Sequence, residues 1–250
     1  DARKVREDFP ILSRSVRGGG RLVYLDSAAT TQKPLAVLDA ERDYYLTSNA
    51  AVHRGAHQLA EEATEAFEGA RARIASFVGA RSDDVVFTRN ATESLNLMAY
   101  AFSNATAKAA TGAPLPDGAE RYVLRPGDEI LVTEMEHHAN LVPWQEVCAK
   151  TGAVLRWIPL TAEGRLDLSS LGDLVSERTR VVSFTQQSNL LGTVNPVAPL
   201  VRAARAVGAQ TGLIYLRGEY RFLLPDLEQV LARRRAQGLL GSNACGVEGF

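Results

Sequence analysis

Two adjacent histidines, His137 and His138, are the first residues whose types suggest chemistry, in the stretch "EMEHHANLVPWQ" (134–145). Neighbouring side chains on a helix point in different directions, so the pair is poorly placed to chelate a metal ion. With no Cys or His cluster nearby, we expect no metal site. Two interpretations stay open. One histidine could stack on a planar ligand, or both could be loop histidines bonded to backbone or water. Without other evidence, the second interpretation is favoured.

A helix start is predicted in "FTRNATESLNLMAY" (87–100), with Asn90 or Thr92 as the capping residue and Glu93 in the first turn. Unpaired amide groups at a helix start can bind an anion, and the Thr92 hydroxyl adds a donor. Taken alone this is an ordinary helix cap. Further along, Ser188 and Asn189 in "SFTQQSNLLGTVNP" (183–196) offer donors and acceptors directly after a predicted strand.

A third candidate is "AVHRGAHQLAEEAT" (51–64), where His53 and His57 stand four residues apart with Arg54 between them. That spacing can bind metal on a helix. Gly55 lies in the middle, however, and indicates a turn before the helix. The simpler reading is a helix lead-in with a surface arginine.

Alternating strands and helices must position these residues. The predicted strands are rich in Val, Ile, Phe, Tyr and Thr: 21–26, 84–88, 129–133, 153–160 and 180–185. This alternation predicts an α/β fold with a mostly parallel sheet flanked by helices. Such folds bind ligands beyond the carboxyl ends of their strands, which is where the candidate residues fall.

The connecting segments include a long predicted helix, 57–78, and a shorter one, 199–209. Apolar residues recur every three or four positions along the first: Leu59, Ala63, Phe67, Ala70, Ile74 and Phe77. Residues 103–128 are rich in Ala, Gly and Pro, and we expect a surface loop. After the histidine pair, Asn140 is predicted to cap a helix with Pro143 in its first turn.

The composition is that of a soluble globular protein. Of the 250 residues 46% are hydrophobic and 23% charged, and the net charge is −1, so no nucleic-acid or membrane surface is expected. Only two cysteines, Cys148 and Cys245, are present, which suits a reducing compartment. With no apolar run long enough to cross a bilayer and a charged "DARKVREDFP" at the start, we expect a cytoplasmic protein.

Five stretches taken together resemble the group II cysteine desulfurases, pyridoxal-phosphate enzymes of aminotransferase class V that supply sulfur for iron–sulfur clusters. The stretches are "YLDSAATTQKP" (24–34), "AAVHRGAHQLAEEAT" (50–64), "ATESLNL" (91–97), "EMEHHANLVPWQ" (134–145) and "SNLLGTVNP" (188–196). The resemblance covers roughly residues 3 to 211. It implies the large domain, in part, of a fold-type I pyridoxal-phosphate transferase.

The resemblance also implies roles for individual residues. His137 would stack on the pyridine ring, Thr92, beside Ala91, would bind the cofactor phosphate, and Asn189 would contact the ring hydroxyl. Other matched residues would lie on the substrate or dimer-interface side of the site: Ala28, Ala29, His53 and Arg54.

The resemblance weakens at particular positions. The family often has a histidine where this chain has Gln186, and a strand aspartate that pairs with the pyridine nitrogen where it has Ile214. Covalent catalysis also needs a Schiff-base lysine. The lysines are Lys4, Lys33, Lys108 and Lys150. None has the family's "S-G-H-K" context, so we identify no catalytic residue, and covalent attachment of the cofactor is not expected.

The chain is therefore expected to divide into a partial aminotransferase class V domain, 1–211, and a divergent tail, 212–250, with a helix predicted over 225–242. Cys245 in this tail reads as a free thiol rather than the family nucleophile. One hypothesis is that the tail arose by truncation or frameshift. The other reading frames of the coding DNA would test it, since a "D-x-A-Q…S-G-H-K" segment should be found there.

By resemblance the activity is conversion of L-cysteine to L-alanine with an enzyme persulfide, in a homodimer that passes sulfur to an acceptor protein. Because the lysine and nucleophilic cysteine regions are absent, we expect little or no activity from this chain alone. The alternatives are another class V enzyme, such as a selenocysteine lyase, or a non-catalytic truncated product.

Overall fold

The computed structural model describes residues 2–27 and 29–214. The chain forms two units, the first ending at Val85 and the second beginning at Val86. The predicted tail helix at 225–242, Cys245 and Ala28 all lie outside the described residues. Within those residues, no helix combines the length and hydropathy needed to span a membrane.

The first unit is helical. Its helices are α1 (Ala2–Glu7), α2 (Leu35–Thr47) and α3 (Gln58–Val78), joined by turns and short 3₁₀ segments. Helix α3 confirms the prediction for 57–78. It is capped by the His57 ring, which accepts a hydrogen bond from the Ala60 amide at 3.4 Å, and it ends at Gly79 in the left-handed conformation.

The predicted apolar stripe of α3 is buried only in part. Ala63 is buried and Phe67 and Ile74 are half-buried, but Leu59, Ala70 and Phe77 are exposed. The fully buried positions are Ala60, Ala63, Ala75 and Val78. Three of these four buried residues are alanines, so small side chains make up most of the buried face of the helix.

The second unit contains the sheet. Its elements are α4 (Ala91–Ala110), β1 (Glu129–Thr133), α5 (His138–Thr151), β2 (Val154–Ile158), α6 (Leu171–Leu174), β3 (Thr179–Thr185), α7 (Val197–Ala206) and β4 (Gln210–Ile214). The four strands are parallel and lie in the order β2-β1-β3-β4. The predicted α/β class with a parallel sheet flanked by helices is confirmed.

The two faces of the sheet follow from side-chain alternation along its strands. Leu131 and Phe184 join a core on the side of α7, where Leu200 and Ala204 are fully buried. Ile130 and Val181 face the other way, in a core that includes residues from α4 and α5. In that second core the Phe102 and Trp144 rings meet edge-to-face, with centroids 5.8 Å apart.

Two predicted strands are wrong. Residues 21–26 form only an isolated bridge between Ser15 and Arg21, and Leu25 is 89% exposed. Residues 84–88 are not in a strand either, and Val86 is 68% exposed. Alternating apolar residues favour an extended chain, but a strand also needs a neighbouring strand for its backbone hydrogen bonds. Neither segment finds one among the residues that the structure describes.

Two further predictions need correction. The segment 103–128 is not all loop, because α4 continues through its alanine-rich start to Ala110 before turns and a 3₁₀ segment (Ala119–Tyr122) follow. Asn140 does not cap α5. The helix begins at His138, and the capping residue is His137.

At the amino-terminal edge of the sheet, Glu129 at the start of β1 lies in a cluster of hydrogen-bond donors. Its Oε1 atom lies 3.2 Å from Arg156 and 3.3 Å from Arg178, and its Oε2 atom accepts from Ser176 at 2.8 Å. Burial alone would raise the pKa of this carboxyl. The Ser176 hydroxyl and the two arginines outweigh that effect and lower the pKa below the ordinary value.

We predict that Glu129→Gln lowers the free energy of unfolding at neutral pH by about 1–3 kcal/mol, because Ser176, Thr179 and the two arginines lose a charged, buried acceptor. A lowered folded-state pKa contributes stability above the unfolded pKa, and that contribution is lost as the pH falls through the folded value. The difference between wild type and Glu129→Gln in urea unfolding should therefore shrink below about pH 4. The exposed Glu177→Gln is the control, and a difference that persists unchanged at pH 3 would contradict this account.

Candidate cofactor-binding site

Two candidate residues of the second unit, His137 and Asn189, lie beyond the carboxyl ends of β1 and β3, which are neighbours in the sheet. His137 follows Thr133, the last residue of β1, by four positions, and Asn189 follows Thr185 of β3 by four. The Glu136 carboxylate joins these strand ends, since its Oε1 atom accepts hydrogen bonds from the Thr133 hydroxyl at 2.6 Å and the Thr185 amide at 2.9 Å. His137 and Asn189 thus follow strand ends, whereas Ala91 and Thr92 follow residues 84–88, which form no strand.

The His137 side chain caps α5. Its Nδ1 atom accepts a hydrogen bond from the Ala139 amide at 3.1 Å, and the Asn140 amide bonds to the His137 carbonyl at 2.8 Å. A neutral imidazole that accepts at Nδ1 carries its proton at Nε2. The ring is exposed, so one nitrogen is committed to the protein while the faces and Nε2 remain accessible.

Behind the histidine, the Asn140 side chain is fully buried and hydrogen-bonded on both sides. Its Oδ1 atom accepts from Trp144 Nε1 at 3.0 Å and from Ser183 Oγ at 2.6 Å, and its Nδ2 group donates to Glu136 Oε2 at 2.8 Å. Sequence reasoning gave Glu136 and Ser183 no role. A serine between apolar residues of a buried strand was the signal that could have found this network.

Asn189 lies in a loop that is closed at its base. The Asn195 amide donates to the Gln186 carbonyl at 2.7 Å, and the Ser188 amide donates to the Thr193 carbonyl at 2.9 Å. The buried Asn195 side chain donates to the Thr185 carbonyl at 2.8 Å and so fixes the loop to the end of β3. Asn189 is exposed, and its side chain makes no hydrogen bond to other described residues.

The start of α4 has the predicted cap. Asn90 Oδ1 accepts from the Glu93 amide at 2.9 Å, and the Asn90 carbonyl accepts from the Ser94 amide at 3.2 Å. The Ala91 and Thr92 amides precede these and have no partner within the described part of the chain. Thr92 is exposed and Ala91 buried, so this helix start presents an exposed hydroxyl beside amides that have no partner among the described residues, a combination that suits an anion.

In the first unit, His53 has a left-handed backbone, with φ of 62°. Its Nε2 atom lies 3.0 Å from Glu68 Oε1, and its ring meets Phe67 edge-to-face at 6.2 Å. Hydrogen bonding from Arg71 is the main cause of the lowered pKa of Glu68. Positive φ is uncommon for a residue with a Cβ atom, so local contacts hold His53 in a sparsely populated conformation.

Two other predicted residues of this unit, Ala29 and Arg54, are exposed. Arg54 lies in the turn before α3, and the Ala29 amide donates to the Asp26 carbonyl at 3.2 Å. Gly55, in the same turn as Arg54, allows a close approach: a Cβ atom at this position would lie 2.4 Å from the Ala60 Cβ atom. The described residues include no group of three or more His, Cys, Asp or Glu side chains arranged to hold a metal ion.

The second unit is an α/β domain whose parallel sheet has an exposed imidazole after β1 and a capped helix start at α4. Its fold is that of pyridoxal-phosphate transferases. An apo cysteine desulfurase from Thermococcus onnurineus matches with a TM-score of 0.71 and 33% identity, over 84% of this chain and 46% of that one. The Escherichia coli cysteine desulfurase CsdA matches with a TM-score of 0.70 and 33% identity, over 93% and 52%.

The family model "Aminotransferase class-V" matches residues 23–212, and the chain belongs to that family. It is 53% identical to "Probable cysteine desulfurase 2" of Mycobacterium leprae over 213 residues, which are 85% of this chain and 48% of that protein. It is 52% identical to "Probable cysteine desulfurase" of Streptomyces coelicolor over 84% of this chain and 47% of that one. The chain thus spans about half the length of these relatives. The suspected resemblance to cysteine desulfurases is confirmed.

We predict that Cys148, on α5, is a slow nucleophile. Burial raises the pKa of its thiol to about 11. Because the thiolate is the reactive form, alkylation by iodoacetamide at pH 8 should be on the order of 100-fold slower in the folded chain than in urea. Mass spectrometry of the Cys148 peptide measures both rates, and equal rates would contradict the prediction.

Proposed function

We propose that this chain forms the part of a pyridoxal-phosphate-dependent cysteine desulfurase that holds the cofactor's ring and phosphate. The observation that carries the proposal is the exposed His137 ring, fixed at the start of α5 beyond the end of β1. Kinship supports it, because the chain belongs to a pyridoxal-phosphate-dependent family and its relatives are cysteine desulfurases. The substrate of the complete enzyme would be L-cysteine.

The residues present fit the cofactor in chemical type. When bound, pyridoxal phosphate supplies an electron sink for bond cleavage at an amino acid. The face of His137 would pack on the pyridine ring, and Asn189 would donate to the ring hydroxyl. The Thr92 hydroxyl and the amides beside Ala91 would bind the phosphate, since a helix start favours negative charge.

The same proposal assigns the remaining residues to the outer parts of the site. Ala28, Ala29, His53 and Arg54 would lie on the substrate or dimer-interface side, and a homodimer would pass sulfur to an acceptor protein. The cysteine content suits a cytoplasmic location. A selenocysteine lyase would use the same ring and phosphate contacts, and no residue of this chain favours it over a desulfurase.

Covalent chemistry is not assigned to this chain. Lys33 donates to the Thr31 carbonyl at 2.8 Å in the first unit, and Lys150 pairs with Glu146 at 3.5 Å on α5. No lysine follows residue 150, and Ile214 stands where the family pattern has an aspartate. We therefore propose that the 250-residue chain binds pyridoxal phosphate reversibly, and that it has little or no desulfurase activity by itself.

Equilibrium dialysis against pyridoxal 5′-phosphate tests the ring contact. His137→Ala should weaken binding roughly 3- to 10-fold, the size expected for loss of one aromatic stacking contact. His137→Asn keeps a capping side chain on α5 and removes only the ring, so an equal loss in both variants identifies stacking rather than helix stability as the cause.

His138→Ala is the matched control, because it removes the neighbouring exposed histidine and leaves the cap in place. It should bind like the unaltered chain. The absence of saturable binding by the unaltered chain, or equal losses in the His137 and His138 variants, would overturn the proposed function.

A further inference from the structure

A buried polar network connects the end of β1, the first turn of α5 and the end of β3. It contains Glu136, Asn140, Trp144 and Ser183, and the last three side chains are almost completely buried. The surrounding core is apolar and includes Ile130, Val132 and Val147. Unsatisfied polar groups at such a position would be costly, so the pattern of donors and acceptors must match.

The direction of the hydrogen bonds is fixed by Trp144. An indole N–H can only donate, and it faces Asn140 Oδ1 at 3.0 Å. The amide oxygen of Asn140 therefore points toward Trp144 and Ser183, and its amide nitrogen points toward Glu136 Oε2 at 2.8 Å. As a result, Glu136 must accept a hydrogen bond at Oε2.

Its other oxygen must accept as well. Glu136 Oε1 lies 2.9 Å from the Thr185 amide, a backbone donor that cannot reverse. The Thr133 hydroxyl at 2.6 Å is the one partner of this carboxyl that can act as donor or acceptor. Burial raises the pKa of Glu136, and a protonated carboxyl would still fit, because its hydroxyl could donate to Thr133 while both fixed donors keep an acceptor.

The position of the Glu136 carboxyl between two strand ends connects it to both proposed contacts with the pyridine ring. Glu136 directly precedes His137, whose ring would lie on the pyridine. Thr185 is the last residue of β3 and directly precedes the loop that carries Asn189, which would bond the ring hydroxyl. A single carboxyl group therefore joins the two strand ends from which both contacts project.

We propose that Glu136 is a positioning residue that sets the spacing between the His137 ring and the Asn189 loop through its bonds to Asn140 and the Thr185 amide. The proposal rests on the proposed function and names a residue that acts through others. Glu136 itself touches no ligand, since both of its oxygens are occupied by protein donors.

Glu136→Gln is the decisive substitution, because a glutamine has one acceptor and one donor end. Whichever way its amide is turned, an NH₂ group faces either the Asn140 Nδ2 group or the Thr185 amide. We expect roughly 10-fold weaker binding of pyridoxal 5′-phosphate and unchanged binding of inorganic phosphate, which needs only the start of α4. Glu146→Gln, an exposed change on the same helix, is the matched control.

A second variant exchanges the two groups. In the double variant Glu136→Gln with Asn140→Asp, the residue 140 carboxylate accepts from Trp144 and Ser183 on one oxygen and from the glutamine NH₂ on the other. The glutamine oxygen then accepts from the Thr185 amide, so every donor is matched again. This variant should recover most of the lost affinity, and it keeps the proposal testable if Glu136→Gln alone does not fold.

The two tryptophans report on the network independently of ligand. In ¹⁵N-tryptophan-labelled protein, the buried Trp144 indole should exchange slowly with solvent and the 55% exposed Trp157 indole quickly. Glu136→Gln should accelerate Trp144 exchange and leave Trp157 unchanged, and the double variant should restore slow exchange.

The outcomes separate the two proposals. Absence of saturable pyridoxal-phosphate binding by the unaltered chain overturns the proposed function and, with it, the ligand role of Glu136. Saturable binding that Glu136→Gln leaves unaltered overturns the positioning role alone. Equal weakening of pyridoxal phosphate and inorganic phosphate, or a folded double variant without recovery, also overturns it.

Discussion

Burial of the Asn140 amide between α5 and β3 is the constraint on which the candidate site depends. A primary amide in an apolar core needs both its donor and its acceptor satisfied. Here the indole of Trp144 and the hydroxyl of Ser183 satisfy the oxygen, and Glu136 satisfies the nitrogen. Since these partners come from a helix, a strand and the connection before the helix, the arrangement fixes how α5 starts relative to β3.

A carboxylate accepts several hydrogen bonds at each end of the central strands, but its partners differ between the two ends. Glu129, at the amino-terminal ends of the strands, accepts from Ser176 and faces Arg156 and Arg178, and together these groups lower its pKa against the opposing effect of burial. Glu136 at the carboxyl-terminal edge is bonded by neutral donors, and burial raises its pKa. The first carboxylate is thus paired with cations, whereas only neutral groups of the protein donate to the second.

The sequence predicted those elements whose formation depends on local pattern. The limits of β1 at 129–133 were predicted to the residue, and α3 to within one residue, because continuous burial and helical periodicity are visible locally. The strands predicted at 21–26 and 84–88 failed because pairing is not local: an apolar alternation does not show whether a partner strand is present. The cap of α5 was predicted to be Asn140 because asparagine is a preferred capping residue. In the structure the imidazole of His137 is the cap, and the Asn140 side chain is hydrogen-bonded in the core instead.

Because His137 rather than Asn140 caps α5, the orientation of the His137 ring is fixed, and this limits how the ring could contact a ligand. With Nδ1 of His137 committed to the Ala139 amide, the ring can present to a ligand only its faces and an Nε2–H donor. A ring held in this way suits stacking on a flat aromatic molecule better than metal ligation, which would need a free nitrogen lone pair. Fixing the ring at a helix start also limits the conformational entropy lost when a ligand stacks on it. The capping bond thus holds the imidazole in a single orientation although it is exposed to solvent, and the proposed stacking on a planar cofactor would require that same fixed orientation.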